Sequence, residues 1–215
     1  MSLTQERQAA LAEDMAALAR RDPDIAAAVA LVGLPPPRVL EPGFASLLGI
    51  IVEQQVSVAS GKAIQRKLLD AFGTVTAEAV CAADDATLLG CGLSRPKLRY
   101  TRILALEVAE RRLALDDLHG LSDAEAMARL TALTGIGRWT AEIYLMFALG
   151  RRDIWPALDL ALQVAVQDIK RLETRPGAKV MDAVAAPWQP QRSAAALLFW
   201  RYYRHLRQRP GTADI

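Results

Sequence analysis

The sequence predicts an all-α protein, and three observations lead to that prediction. Apolar residues recur at the three- and four-residue spacing of amphipathic helices along most of the chain. Strand-like alternation of apolar and polar residues is nearly absent. Ser, Asp and Gly stand where helices would begin and end, and Pro marks several of the breaks. No internal repeat accompanies this pattern.

Each predicted helix is bounded by a capping residue or a breaker. Asp22 and Pro23 start the second helix, after a first helix with Ala, Leu and Met on one face. Ser94 and Ser122 cap two later helices, and Gly150 ends an apolar one. In chain order, the predicted helices span residues 1–21, 25–32, 46–56, 60–72, 76–82, 84–89, 95–111, 113–119, 122–133, 138–149, 160–172, 180–185 and 191–207, with a stiff proline connector at 34–37.

Length and composition indicate a globular protein and exclude a disordered one. The 215 residues suffice for one large domain or for two small lobes that share a core. Hydrophobic residues make up 52% of the chain, and Lys+Arg exceed Asp+Glu by only two, 26 against 24. The net charge therefore does not indicate a nucleic-acid partner. No signal peptide and no apolar run of membrane-spanning length is visible, so we expect a soluble, cytoplasmic protein without a membrane partner.

Basic residues are concentrated in two parts of the chain. Residues 189–209 contain five Arg and one His but no acidic residue. Such a face can bind phosphates even on a nearly neutral protein, and a solvated helix face explains it equally well. Three further basic residues, Lys97, Arg99 and Arg102, lie in the helix predicted at 95–111. They could either contact phosphates or simply be charged side chains that face solvent.

A glycine corner, Gly135-Ile136-Gly137, separates two predicted helices. Glycines permit a tight turn and close approach to its backbone, while Ile136 would anchor the turn in the core. A helix that begins near Arg138 would place N–H groups and the positive end of its dipole beside this corner, which suits a phosphate. The simpler alternative is an ordinary corner between helices with Gly as C-cap.

Asp159 precedes another helical run, 160–166, and follows the helix breaker Pro156. Its simplest role is that of a helix N-cap. The same geometry would also hold a carboxylate rigidly at a helix N-terminus in an apolar setting, which is the arrangement that a catalytic anion needs. The residue type and its position leave both roles open.

These segments together resemble the helix-hairpin-helix superfamily of DNA glycosylases, and within it the 3-methyladenine DNA glycosylase II (AlkA-like) family. Asp159 follows Gly137 by 22 residues, close to the family spacing of about two dozen, and lies in a matching Pro-x-x-Asp-Leu-x-Leu-Gln context. Five further segments are similar to family segments and occur in the same order along the chain, so the resemblance covers roughly residues 40–205. They are 53–57 (Glu-Gln-Gln-Val-Ser), 92–97 (Gly-Leu-Ser-x-x-Lys), 133–141, 188–193 and 198–201.

The resemblance implies a two-lobed helical bundle with a DNA-binding cleft between the lobes. We expect one glycosylase domain over residues 1–215, with one lobe from about 45–160 and a second from the terminal helices. It also implies double-stranded DNA with alkylated bases as the partner, and we expect a monomer without a cofactor. Two cysteines are too few for the four-cysteine iron–sulfur cluster of some glycosylases of the superfamily. The hairpin carbonyls are a candidate site for a monovalent cation, as in the family.

Site residues follow from the resemblance position by position. Asp159 is the expected catalytic residue, and Gln55 occupies the position of the side chain that fills the gap left by a flipped nucleotide; a polar turn between helices is the alternative. Any single Trp is more often a core residue than a pocket residue. The base-pocket candidates are Trp139, Trp200 and Tyr144, of which Tyr144 is offset by one position and has a core alternative. The DNA-binding candidates are Gln54, Gln55, Ser57, Gly135, Ile136, Gly137, Arg138 and Thr140.

The expected reaction is the hydrolytic removal of alkylated purines of the 3-methyladenine and 7-methylguanine type, leaving an abasic site. An alkylated purine already carries positive charge and leaves as a neutral base, so a single carboxylate suffices where ordinary glycoside hydrolysis uses two. Bifunctional relatives have a nucleophilic Lys where this chain has Trp139, so no lyase activity is expected. Leu158 departs from the small or acidic residue of relatives. The alternative functions are a non-catalytic hairpin module that only binds DNA, and a helical scaffold without DNA affinity.

Overall fold

The computed structural model describes residues 2–208, and the all-α prediction is confirmed: no strand occurs in that part of the chain. Two short 3-10 helices, Asp116–Gly120 and Ala186–Trp188, supplement twelve α-helices in these residues. In chain order, the α-helices are α1 Leu3–Arg21, α2 Pro23–Val32, α3 Phe44–Glu53, α4 Val58–Phe72, α5 Ala77–Ala82, α6 Asp85–Gly90, α7 Arg95–Ala109, α8 Asp123–Thr131, α9 Arg138–Phe147, α10 Leu160–Ile169, α11 Ala178–Ala185 and α12 Arg192–Leu206.

The four caps predicted at Asp22, Ser94, Ser122 and Asp159 all lie at helix starts. Ser94 caps α7, Ser122 forms a capping box on α8, and Asp22 caps α2 with two accepted backbone N–H bonds. The first predicted residue of the first helix, Met1, lies outside the described residues. Because a cap bonds a backbone group only a few positions away, these signals can be read directly from the sequence.

Several helix ends differ from the prediction for local reasons. Helix α3 ends at Glu53 rather than 56, since Gln55 takes a left-handed backbone with φ of 54°. Helix α4 then begins two residues early, at Val58, behind its cap Ser57. Helix α10 ends at Ile169, before the left-handed Arg171. The segment predicted helical at 113–119 overlaps the 3-10 helix Asp116–Gly120 and forms no α-helix.

The chain forms two compact units. The central unit is the continuous segment Leu40–Leu149, and the terminal unit combines the chain up to Val39 with the chain from Gly150 onward. In the central unit α3 packs against α4, α7 and α9, and every residue from Thr140 to Phe147 of α9 is buried. In the terminal unit α12 packs against α1, α2 and α10.

An aromatic cluster fills the core of the terminal unit. Trp155, Trp188 and Phe199 meet edge to face, with ring centroids between 5.1 and 6.0 Å apart. Phe199 is the neighbour of Trp200 in α12, and Trp155 belongs to the loop that leads to Asp159. The cluster therefore anchors both chain segments that carry the candidate carboxylate site described below.

Two basic residues of α7 have structural roles that correct the sequence-based alternatives. Lys97 is 9% exposed, and its Nζ donates a hydrogen bond to the carbonyl oxygen of Val52 at 2.5 Å. Burial lowers the pKa of the Lys97 amine below its usual value. Arg102 donates to the carbonyls of Val80 and Ala83 beside α5. Neither side chain is a plain solvent-facing charge; Arg99 alone of the three is exposed.

No helix in the described part of the chain combines the length and the apolar character that crossing a bilayer requires. Within residues 2–208, no group of three or more His, Cys, Asp or Glu side chains could hold a metal ion.

Candidate functional site

Asp159 caps α10 in the terminal unit. Its Oδ1 accepts a hydrogen bond from the backbone N–H of Leu162 at 3.0 Å, which is the N-cap bond expected from the sequence. The residue is partly exposed, and the neighbouring side chains Leu158 and Leu160 are 52% and 55% exposed. The carboxylate is thus fixed at a helix N-terminus without being sealed in the core.

Trp200 meets Asp159 from α12. Its indole Nε1 donates a hydrogen bond of 3.0 Å to the same Oδ1 atom, although the two residues are 41 positions apart. The packing of α12 against α10 brings about this contact. Two residues that were predicted separately, one as catalytic and one as a pocket wall, therefore form one hydrogen-bonded pair.

The loop before Asp159 is itself tied down by hydrogen bonds. The backbone N–H of Asp159 donates to Pro156 O at 2.9 Å, and Gln163 Nε2 donates to Ala157 O at 3.0 Å. No role for Gln163 is predicted from the sequence. Its position in the Pro-x-x-Asp-Leu-x-Leu-Gln segment was the available signal, and the structure shows that it holds the loop from within α10.

The glycine hairpin lies in the central unit and has the anchored geometry predicted from its sequence. Ile136 is buried at 4% exposure, whereas Gly137 is exposed and caps α9 without a side-chain cap bond. Gly135 has φ of 100°, and a Cβ atom there would lie 2.4 Å from Cγ of Tyr100. Apart from Gly137 and its two neighbours in the chain, no residue lies within 4 Å of a Cβ added at Gly137. Tyr100 supports the hairpin and was not identified from the sequence.

Gln54 binds the hairpin rather than facing outward. Its Nε2 donates to Gly135 O at 3.1 Å and to Thr140 Oγ1 at 2.7 Å. The Thr140 side chain is 2% exposed, so any DNA contact by Thr140 would have to use its backbone N–H. In the DNA-free protein both hydrogen bonds that the Gln54 amide donates end on protein groups, and the predicted direct DNA contact of Gln54 stays a prediction.

The turn between α3 and α4 exposes Gln55. Its left-handed backbone and exposed side chain lie between Gln54 and Val56, which is 39% exposed. Ser57 uses its hydroxyl to cap α4, accepting from the N–H of Ser60 at 3.1 Å. Val58 is 70% exposed. The turn therefore presents one amide and two apolar side chains at the surface of the central unit.

The remaining central-unit candidates differ in exposure. Trp139 is partly exposed, and Arg138 is exposed while its Nε donates to the buried Glu142 at 2.7 Å. Tyr144 is fully buried, and its hydroxyl accepts from the N–H of Gly43 at 2.9 Å. Burial raises the pKa of this hydroxyl. The placement of Tyr144 contradicts the predicted pocket role and agrees with the core alternative, because a fully buried ring offers no face to a base.

Two carbonyl oxygens of the hairpin, those of Leu133 and Gly135, are candidate ligands for the predicted monovalent cation. Leu133 O accepts a hydrogen bond from the N–H of Ile136, and Gly135 O accepts from Gln54. Because a carbonyl oxygen has two lone pairs, each retains acceptor capacity. Each of these carbonyls could therefore still bind a cation, and the cation stays a prediction.

The basic C-terminal segment is divided between structural and exposed residues. Arg192 forms an ion pair with Asp153 at 2.7 Å, and Arg201 donates through Nε to Val32 O. Arg204 and Arg207 are exposed, and Arg209 lies outside the described residues. At least two of the five arginines of this segment therefore hold the terminal unit together, so neither the phosphate-binding face nor the solvated helix face considered from the sequence contains all five.

Comparison with known proteins agrees with this geometry. Residues 48–190 match the family described as HhH-GPD superfamily base excision DNA repair protein. The chain is 30% identical over 163 residues to Bacillus subtilis YfjP, a protein provisionally named as a DNA-3-methyladenine glycosylase; the match covers 72% of this chain. It spans 57% of the length of YfjP, little more than half.

Two solved structures are also similar. Schizosaccharomyces pombe 3-methyladenine DNA glycosylase (Mag1), in complex with abasic DNA, superposes with a TM-score of 0.81 at 27% identity, covering 88% of this chain and 95% of that one. A DNA-3-methyladenine glycosidase from Bacillus halodurans gives a TM-score of 0.69 at 31% identity, covering 78% and 77%.

Proposed function

Because the chain belongs to the HhH-GPD superfamily of base excision DNA repair proteins, we propose that it is a DNA glycosylase that removes alkylated purines from duplex DNA. The expected substrates are of the 3-methyladenine and 7-methylguanine type, and the product is an abasic site. The observation that carries the proposal is the partly exposed Asp159 carboxylate, held by Leu162 and by Trp200. The names of YfjP and of the two solved relatives support the substrate class.

The chemistry needs one anion and no acid. An enzyme that acts on a base in a duplex must first extrude the nucleotide, at a cost of a few kcal/mol. The bond between the sugar and the positively charged alkylated purine then breaks, the base departs neutral, and positive charge develops on the sugar until water adds its oxygen there and loses one proton to solvent. A rigid carboxylate such as Asp159 stabilises that charge without having to reorganise.

The backbone grip is assigned to the glycine hairpin. Exposed Gly137 at the start of α9 leaves space for a phosphate beside the first N–H groups of the helix, where the helix dipole favours an anion. Gln55 is assigned to fill the gap left by the extruded nucleotide, and the partly exposed rings of Trp139 and Trp200 to contact the base. Aromatic rings of this kind favour a cationic base over a neutral one.

The reaction is proposed to be monofunctional, with no lyase step. Trp139 has no amine, so a Schiff base with the sugar cannot form at the position that bifunctional relatives use. A cytoplasmic location and a monomeric state complete the proposal.

The experiment that tests the function is incubation of a methylated duplex with the protein. We expect release of free 3-methyladenine or 7-methylguanine, measured by chromatography, together with alkali-labile abasic sites. Borohydride added during the reaction should trap no covalent protein–DNA complex. DNA binding without release of any methylated base would instead support the non-catalytic hairpin module, and a trapped complex would contradict monofunctional chemistry.

Replacing Trp200 by Phe separates the two roles of the indole. Phe keeps an aromatic ring but removes the N–H that donates to Asp159. Since a hydrogen bond to a charged group contributes roughly 1.5–3 kcal/mol, we expect base release to slow by about tenfold or more. DNA affinity should change less than the release rate does, because the Phe ring can still contact the base. Single-turnover rates and titrations measure the two quantities, and an unchanged release rate would refute the positioning role.

A further inference from the structure

Gln54 joins the two parts of the central unit that the proposed function assigns to DNA. Its own position adjoins Gln55 in the exposed turn, and its amide reaches the glycine hairpin. We propose that Gln54 is a positioning residue that holds the Gln55 turn against the hairpin. The Gln55 side chain, which fills the gap left by the extruded nucleotide, and the hairpin, which binds the DNA backbone, then keep a fixed separation. This inference rests on the proposed function.

The side-chain amide of Gln54 is hydrogen-bonded to both sides of the hairpin. Gln54 Nε2 donates to Gly135 O on the helix α8 side and to Thr140 Oγ1 in the first turn of α9, at 3.1 and 2.7 Å. A side-chain amide has two N–H donors, so both are accounted for by these acceptors. Thr140 is buried at 2% exposure, which shields its part of the bridge from water.

Helix α7 supports the turn and the hairpin from one side. Lys97 donates from Nζ to Val52 O in the last turn of α3, immediately before the Gln55 turn. Tyr100, three residues later and therefore on the same face of α7, packs directly against Gly135. Helix α7 therefore contacts both the Gln55 turn and the hairpin, in addition to the hydrogen bonds by which Gln54 joins them.

A rigid link matters because extruding a base requires two actions at a fixed separation. The hairpin must hold the backbone while the Gln55 side chain enters the base stack. A misplacement of about 1 Å in a catalytic constellation can cost on the order of a hundredfold in rate. The left-handed backbone of Gln55 is itself unfavourable for a non-glycine residue, so the exposed turn needs such external restraint.

A direct test uses the DNA-free protein. In Gln54→Met, a side chain of similar length lacks both donors, and we expect amide hydrogen exchange at Ile136 and Ala141 to accelerate by about tenfold, the change that loss of roughly 1.4 kcal/mol would produce. Both amides are hydrogen-bonded within or beside the hairpin. Unchanged exchange at these amides would overturn the proposal, whatever the protein does with DNA.

Gln65→Met is the matched control. Gln65 Nε2 also donates two bonds to α3 groups, to Gly49 O at 3.3 Å and to Glu53 Oε1 at 3.0 Å. It has no bond to the hairpin among those observed for this amide. We expect Gln65→Met to leave exchange at Ile136 and Ala141 as in the wild type. Equal acceleration in both variants would indicate general loosening of α3 and would overturn a specific link.

A second test uses a methylated duplex with 2-aminopurine beside the lesion, whose fluorescence rises when the stack opens. For Gln54→Met we expect near-normal DNA affinity, a smaller fluorescence rise and base release slowed by about tenfold. A parallel loss of affinity and of fluorescence would point to a direct DNA contact and would overturn the proposal. If the wild-type protein releases no base, the proposed function fails, while the exchange experiment still decides the link.

Discussion

Replacement of Asp159 by Asn is expected to slow the release of methylated bases by about 10²–10³-fold, the usual cost of removing one preorganised charge-stabilising group from an active site. The amide is neutral and cannot stabilise the positive charge that develops on the sugar. Binding of the same duplex should be unchanged within a few fold. Single-turnover release assays with excess protein measure the first quantity, and fluorescence titrations measure the second.

The Asn variant should remain folded, because Asn caps helices as well as Asp does. Its amide oxygen can still accept from the Leu162 N–H and from Trp200 Nε1, the two donors that hold Oδ1 in the wild type. The matched control is Asp84→Asn, since Asp84 caps α6 by accepting from Thr87 N–H at 2.8 Å. That variant loses the same charge at a helix N-terminus in the central unit. Comparable release by Asp159→Asn and by Asp84→Asn would rule out Asp159 as the catalytic group.

Gly135→Ala is expected to have the largest effect on stability. The added methyl group would lie between 2.4 and 2.8 Å from three carbons of Tyr100, on a backbone with φ of 100°. Overpacking and a left-handed non-glycine residue together cost roughly 2–4 kcal/mol in the free energy of unfolding. Urea unfolding measures this loss, and DNA affinity should fall with it because the hairpin can no longer close.

Two further variants give the Gly135 prediction its controls. Gly137→Ala places the same methyl group in open space at φ of −86°, so the free energy of unfolding should change by less than about 1 kcal/mol. Combining Gly135→Ala with Tyr100→Ala removes the clash but not the backbone strain. The double variant should therefore be less destabilised than the sum of the two single changes. Equal stability of Gly135→Ala and Gly137→Ala would contradict the tight contact with Tyr100.

Much of the fold could be predicted because helix signals are local. The capping bonds at Asp22, Ser94, Ser122 and Asp159 join atoms within three residues of each other. Helix ends were less predictable, as the early end of α3 shows. Only the backbone angles at Gln54 and Gln55 decide where that helix stops.

The residues of the candidate site likewise include some that could be predicted from the sequence and some that could not. The positions of the glycine hairpin and of Asp159 were predicted from short motifs whose spacing is visible in the chain. The sequence left open whether Tyr144 is a core or a pocket residue, and it did not predict the burial of Lys97, because a local pattern does not show which side chains the neighbouring helices will enclose. Lys97 and its acceptor Val52 are 45 residues apart, so no local pattern could reveal their hydrogen bond.

The sequence by itself determined an all-α fold, four of its caps, the hairpin and the position of Asp159 at a helix start. Only the tertiary structure decided that Trp200 donates to Asp159 across 41 residues and that Gln54 donates to Thr140 across 86. Such bonds depend on how two helices cross and on the rotation of each about its axis. Those quantities are set by packing of the whole core, which no local pattern encodes.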